Sequence, residues 1–316
     1  MRQKRGLFLN QLPAQCSIYE SGVMIKDILK NSAEYILDYV ETDETLVGVN
    51  QKEKYDFVIV NWHPRTLTIS SYKLSNFHGI LISVILEVTP DNCFFYTSKD
   101  WFDAHMIIDP TKEKRDNLYP FPRPLEVVKE LPKLLRTDKI VLGSFGFMNP
   151  KDNQANCKKY TEVIENANRI KNCIVRLNFP VGTYTGVPLS FLEAYGKKLK
   201  KMASRSVKVE VTHNYMSKSE LINWCAENTV NVFPYYRDIP GLSAVTDQAI
   251  TANRPIIITD SVAFRHMRPY ISYYPEQSYK ELILSTPPGI RKMRNDWSPE
   301  KFREKFRVLL MERGVL

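Results

Sequence analysis

Along this chain, short apolar runs alternate with amphipathic stretches. In the first half, the runs Gly6 to Asn10, Tyr55 to Trp62, Ile80 to Glu87 and Cys93 to Tyr96 predict strands, and Glu20 to Asn31 and Ser71 to Asn76 predict helices. In the second half, strands are predicted at Ile140 to Gly146, Cys173 to Asn178, Val207 to Thr212, Thr229 to Pro234 and Pro255 to Thr259. The last two are continuous apolar runs, as parallel strands covered on both faces require. Helices are predicted near Ala155 to Ile170, at Ser190 to Met202, after the capping box Ser217-x-x-Glu220, and from Ser298-Pro299-Glu300 to Arg313. This alternation predicts doubly wound α/β sheets. Pro120, Pro122, Pro124 and Pro132 crowd the stretch Tyr119 to Asp138, a predicted linker. Domains are therefore expected at 1–137 and 138–297, each large enough for its own core.

The most informative segment is VNVFPYYRDIPGLSAVTDQAITANRPIIITD, Val230 to Asp260. It predicts a buried strand, a loop ending in Gly241-Leu242-Ser243, a helix opening there, and a second buried strand. One right-handed crossover fits between the two strands. A helix starting at such a turn directs N–H groups and its positive dipole end toward the crevice above the sheet, where a diphosphate can bind. Ser243 is also suited to cap the helix. Asp238 precedes the turn and Asp247 lies within the helix.

Composition narrows the class. The chain is 43% apolar and 25% charged, with a formal charge of +9, which describes a globular protein. No run of eighteen apolar residues predicts a membrane span, and the apolar piece Leu7 to Leu9 is too short for a signal peptide. The five cysteines are scattered and form no C-x-x-C pair. Neither disulfides nor a zinc site is expected, and a reducing, cytoplasmic setting is the default. A basic surface attracts phosphorylated donors, anionic lipid or nucleic acid. The densest basic stretch, Lys197 to Arg205, is expected to be the solvated end of a helix.

The order of strand, acidic loop, Gly-Leu turn, acidic helix and Arg-Pro-strand resembles the donor-binding half of retaining glycosyltransferase family 4, which has the GT-B fold. Val207 to Asn223 resembles the strand, loop and helix upstream in that family. Gly143 to Lys151 resembles the strand and Lys-bearing loop that open its second domain. In the first half, Cys16 to Gly22 resembles the loop after strand one, and Asn61-Trp62-His63-Pro64-Arg65 a later strand end. The resemblance implies two Rossmann-like domains facing a central cleft. An N-terminal domain would lie on the acceptor side, a C-terminal domain would bind a nucleotide-sugar, and a terminal helix at about 298–316 would pack back onto the first. It further implies transfer of a hexose to a hydroxyl of a glycan or other acceptor, with GDP-mannose or UDP-glucose as donor and a lean to GDP-mannose.

Several residues become candidates under that resemblance. In the family the first acid contacts the donor sugar, and Asp238 stands three residues before Gly241, where that acid is expected. The second acid binds ribose hydroxyls, as a charge-assisted acceptor can. Counting from either end of the motif gives Thr246 or Gln248, with Asp247 between. Asp238 equally suits a plain turn, and Asp247 a first-turn acid. Lys151, with Arg176, is the candidate cationic clamp for the leaving diphosphate, where developing charge rewards a fixed cation. Lys158 and Lys159 are the alternatives on the helix behind. His63 ends a strand on the edge that faces ligand in open α/β sheets and could touch the donor sugar; His213, after another strand end, could lie near the base. Glu87 could face the acceptor.

No D-x-D motif appears, so metal-independent turnover without a cofactor is expected. P-loop, G-x-S-x-G and H-E-x-x-H motifs are absent too. Two rival functions keep the fold. One is a glycosyltransferase acting on bases in DNA, which the charge permits although nucleic acid is not the expected partner. The other is an inactive GT-B scaffold that only binds nucleotide. A sugar-nucleotide epimerase is a further relative. Peripheral membrane contact is compatible with the charge, and neither acceptor nor oligomeric state is legible.

Overall fold

The computed structural model describes residues 3–30, 32–42, 54–63, 77–86, 102–126, 128–134, 138–148, 158–182, 186–236 and 241–316. It divides into two compact units, Met1–Pro124 with Trp297–Leu316, and Leu125–Asp296.

The first unit opens with β1 (Lys4–Asn10), α1 (Ser17–Leu29) and β2 (Tyr35–Glu41), followed by β3 (Phe57–Asn61), β4 (Ile80–Ile85), β5 (Ala104–Ile107) and β6 (Leu118–Pro120). These strands form one parallel sheet in the order β2-β1-β3-β4-β5-β6. Strand β3 is FVIVN, buried at every position, because it sits inside the sheet and is covered on both faces. Leu7, Leu9, Val58 and Val60 serve one face; Phe8, Phe57 and Ile59 serve the other. The chain returns to its starting partner after β2 and then moves outward through β3, so the direction of winding reverses between β1 and β3.

The second unit contains β7 (Ile140–Phe145), α2 (Tyr160–Ile170), β8 (Cys173–Asn178), α3 (Leu189–Met202), β9 (Val207–Thr212), α4 (Lys218–Ala226), β10 (Val230–Phe233), α5 (Val245–Thr251), β11 (Ile256–Ile258) and α6 (Tyr279–Asp296). Its parallel sheet has the order β11-β10-β7-β8-β9. Winding reverses here between β7 and β10. Helix α4 carries the predicted capping box: Ser217 accepts from the Glu220 N–H while the Glu220 carboxylate accepts from the Ser217 N–H.

The tail helix α7 (Pro299–Glu312) is capped by Ser298, with proline in its first turn. Its stripe Phe302, Phe306, Leu309 and Leu310 is fully buried in the core of the first unit. Phe306 lies edge-on to Tyr35 and Phe57, 5.9 Å from each. Each such side chain removed from water stabilises by about 1.5–3 kcal/mol, so the tail belongs to this unit by packing.

The α/β architecture is as predicted, with departures in detail. Strands β2, β5 and β6 and helix α6 were not predicted, and β6 occupies the start of the predicted linker. The predicted helix opening at Gly241-Leu242-Ser243 begins at Val245 instead, with Ala244 as its cap and no side-chain capping bond. The predicted strand Cys93 to Tyr96 and helix Ser71 to Asn76 lie outside the described residues, as do Glu87, Lys151 and Asp238.

Candidate functional site

In a doubly wound sheet, ligands gather at the carboxyl ends of the strands where the winding reverses. In the second unit that point is the end of β7 and β10. Beyond β7 stands Gly146 at φ 141°, a conformation that favours glycine. A β-carbon built on it would lie 2.5 Å from the Tyr235 hydroxyl, 2.7 Å from Lys158 Nζ and 3.6 Å from a methyl of Val245, the first residue of α5. Three chain segments therefore converge on this backbone.

Tyr235, two residues past β10, is buried and donates its hydroxyl to the Phe145 carbonyl at 2.6 Å. Thr259, after β11, donates to the Tyr235 carbonyl. The Lys158 ammonium donates to the Phe147 carbonyl and lies 4.5 Å from the centre of the Tyr235 ring. Cation, aromatic face and strand-end carbonyl hold one another in place. Beside them, the Tyr236 hydroxyl donates to Glu162 at 2.6 Å, and Lys159 sits 3.6 Å from the same carboxylate and 4.2 Å from the Tyr236 ring centre.

The Gly241-Leu242-Ser243 turn is buried and lies next in sequence to α5. The Ser243 N–H donates to the Ala263 carbonyl at 3.1 Å, and the Thr246 and Asp247 N–H groups donate to the Ser243 and Ala244 carbonyls. Those three donors are satisfied within the protein and are not among the free N–H groups expected at this helix start. Thr246, Asp247 and Gln248 are all buried. Thr246 bonds the Ser243 carbonyl at 2.8 Å and His266 Nε2 at 3.2 Å.

The other candidates separate. Arg176 lies within β8, two residues before its end, with its guanidinium donating to Asn228 at 2.9 Å and Glu227 at 3.1 Å and lying 4.9 Å from the Trp224 ring centre. Those partners lie in and just after α4, and the Trp224 ring lies 5.9 Å from that of Phe145. His213 follows β9, with Nδ1 3.1 Å from the Phe179 carbonyl. Beside it, Asn178 donates to the Asn214 carbonyl and accepts from Thr212.

His63 stands two residues past β3, half-buried, at the reversal point of the first sheet. Asn61 ends that strand and donates its amide to Asn10 Oδ1 at 2.7 Å and to the Ile18 carbonyl at 2.9 Å. Asn10 donates to the Tyr39 hydroxyl at 3.0 Å. Tyr39 and Tyr19 both donate to Glu41 at 2.8 Å. Helix α1 crosses close above: a β-carbon on Gly22 would lie 2.5 Å from Asn10 Oδ1. Burial, the Glu41 hydrogen bond and its charge push the Tyr19 hydroxyl up to about 12. Among the described residues, no three His, Cys, Asp or Glu side chains converge as a metal site would need, and no helix is long and apolar enough to cross a membrane.

Sequence reasoning placed Lys158 second to Lys151 and passed over Tyr235 and the Asn10–Asn61 pair. The available signals were a glycine just past one strand and a tyrosine pair just past another.

No family model and no curated protein matches the chain. Solved structures do. A trehalose-6-phosphate synthase from E. coli, bound with UDP-2-fluoro glucose, is similar with a TM-score of 0.62 at 8% identity over 98% of both chains. The α,α-trehalose 6-phosphate synthase of Burkholderia multivorans gives 0.60 at 8% identity over 99% of both. The spinosyn forosaminyltransferase SpnP gives 0.54 at 11% identity, over 98% of this chain and 100% of that one. The chain has the GT-B fold of these glycosyltransferases.

Proposed function

We propose that this protein is a retaining glycosyltransferase that takes a hexose from a nucleotide-diphosphate sugar held by its second unit. The observation that carries the reading is the end of β7 and β10. There buried Gly146, at a positive φ, brings backbone against a fixed lysine ammonium, on a fold that otherwise resembles sugar transferases. A diphosphate leaving group gains negative charge as the glycosidic bond breaks. A cation already anchored there needs no reorganisation to stabilise it, and such terms are the largest in many enzymes.

In this reading Lys158 and Lys151 clamp the diphosphate, while Gly241, Leu242 and Ser243 line its turn. Asp247 or Gln248 takes the ribose hydroxyls, and His213 lies toward the base. Asp238 and His63 are assigned to sugar hydroxyls. Arg176 is the weakest member of the set, because its guanidinium is already committed to Glu227, Asn228 and Trp224. The acceptor hydroxyl attacks the face from which the phosphate departs, and a phosphate oxygen takes its proton. Turnover needs no metal, so EDTA leaves the rate unchanged; a rate restored only by added divalent ion would sink that part.

UDP-glucose is the first donor to test, because the similar E. coli enzyme holds its fluoro analogue; GDP-mannose is the second. Calorimetric titration across UDP- and GDP-sugars, followed by assay of donor hydrolysis and of the anomeric configuration of product, tests the proposal. Binding with slow hydrolysis or transfer and a retained anomer supports it. Binding without any turnover leaves only an inactive scaffold, a changed sugar without acceptor means an epimerase, and no binding removes the nucleotide site.

A further inference from the structure

The two units differ sharply in charge. Met1–Pro124 with Trp297–Leu316 contains 19 Lys and Arg against 19 Asp and Glu, whereas Leu125–Asp296 contains 25 against 16. The whole excess of +9 therefore belongs to the second unit. Much of it is not at the strand ends described above. Lys197, Lys198, Lys200 and Lys201 lie on the last two turns of α3, and Arg205 follows before β9 begins; all five are exposed. At roughly 100° per residue the four lysines cover about 160° of the helix, facing away from buried Leu192, Gly196 and Leu199.

Asn168 near the end of α2 joins this patch to a second helix end. Its amide donates to the Met202 carbonyl at 3.0 Å and its carbonyl accepts from the Ser204 N–H at 2.8 Å. Exposed Arg169 and Lys171 follow that asparagine. Both helices run back to the strand starts, at Cys173 and Val207. The patch thus occupies the edge of the sheet opposite Gly146. Among the described residues, none of these seven cations forms an ion pair. Glu193, one turn before Lys197, forms none either, and Glu210 pairs with Lys208 at 2.6 Å. Like charges three and four residues apart on a helix repel.

We propose that this edge is a docking surface for a membrane bearing anionic lipid headgroups. Four to eight Lys or Arg on one helical face suit such a surface, each contributing independently to partitioning. Single-stranded nucleic acid is the less suited polyanion. The patch offers no exposed aromatic ring on which bases could stack, and five of its seven cations are lysines, which make point contacts rather than the planar fork of arginine. The same lack of exposed aromatic groups makes the contact electrostatic, without insertion. Docking by this edge leaves the strand ends of the second unit facing away from the lipid.

The test is co-sedimentation of the full chain with vesicles of phosphatidylcholine alone and of phosphatidylcholine mixed with phosphatidylglycerol, at low and high sodium chloride. Binding only to the anionic vesicles, and release by salt, is expected. The variant K197Q/K198Q/K200Q/K201Q should bind about fivefold more weakly per lysine, a few hundred-fold in all, while its thermal midpoint stays or rises and nucleotide-sugar binding is unchanged. Failure to bind anionic vesicles, equal binding by the variant, or equal or tighter binding to homopolymeric RNA at the same salt would overturn the proposal.

Discussion

At the ends of β1 and β3, two asparagine amides bond one another beneath Gly22, and a pair of tyrosines shares one carboxylate. At the ends of β7 and β10, a lysine ammonium lies over a tyrosine ring beside Gly146. Both places are reversal points of parallel sheets, and both bring backbone close to side chain at a glycine. Their chemistry differs. The first edge offers neutral donors and acceptors, one carboxylate, and a Lys26 ammonium that lies 4.8 Å from the Tyr39 ring centre and pairs with Asp27, a mixed set suited to hydroxyls. The second offers fixed positive charge, suited to an anion. One architecture used twice has been given different polar groups by a few residues past each strand.

The largest expected effect breaks the second edge alone. Lys158→Met keeps length and packing and removes the charge. If Lys158 faces the leaving diphosphate, transfer falls about 10²- to 10³-fold, with donor affinity falling less. The measurement is kcat and KM with saturating acceptor, beside a thermal melt. Unchanged kcat in a folded protein would remove Lys158 from the clamp and leave that role to Lys151. Gly146→Ala should act on the same edge, because the new methyl meets Tyr235 and Lys158 and φ 141° strains any L-residue. A stability loss of about 1–3 kcal/mol is expected, together with weakened donor binding.

The mirror experiment is Gly22→Ala. Its methyl would press into Asn10 and Asn61, so overpacking should cost about 1–3 kcal/mol, read as a lower midpoint in urea at unchanged slope. Donor affinity should not move, since the second unit keeps its own core. If nucleotide-sugar binding fell as far as it does in Gly146→Ala, the two edges would not be chemically independent, and the contrast drawn above would fail.

Much of the fold was legible because the strands of the second unit are short apolar or strictly alternating runs. Cys173–Asn178 and Val207–Thr212 match their predicted bounds. Strand β2, YILDYVE, is a half-buried edge strand as β9 is, but it lacks the strict apolar-polar alternation of VKVEVT. Strand β5 is four residues long and contains His105. Helix α6 was hidden by Pro287-Pro288-Gly289 in its middle, a sequence that local propensity assigns to a break. Its buried face, Tyr279, Leu282, Thr286, Ile290 and Met293, overrides that preference. Gly289 is there because any side chain would strike the Tyr270 carbonyl. At the candidate site, residue types were visible but convergence was not. Nothing in sequence says that Lys158, Tyr235 and Val245 meet at Gly146, since the meeting is made by two crossovers far apart in the chain. The helix opens two residues past the Gly-Leu-Ser turn, and the Ser243 N–H finds the Ala263 carbonyl, a partner 20 residues on that local sequence does not reveal.

The smallest expected effect concerns the carboxylate that distinguishes the first edge. Tyr19 donates to Glu41, and burial first, then that hydrogen bond and the carboxylate charge, push its hydroxyl up to about 12. A tyrosine held above its ordinary value of 10.0 keeps its proton in the folded state after the unfolded chain has released it. Its contribution to stability is therefore complete below pH about 10 and is lost as pH rises toward about 12. Glu41→Gln removes the charge but keeps an acceptor oxygen, so Tyr19 should ionise at lower pH, though still above an exposed tyrosine, because burial is the larger cause. Alkaline titration followed by phenolate absorbance, with Tyr19→Phe to assign the transition, reads this directly. Superimposable curves for the parent and Glu41→Gln proteins would mean that Glu41 does not set the electrostatics of this edge, and its contrast with the lysine edge would then rest on the asparagine pair alone.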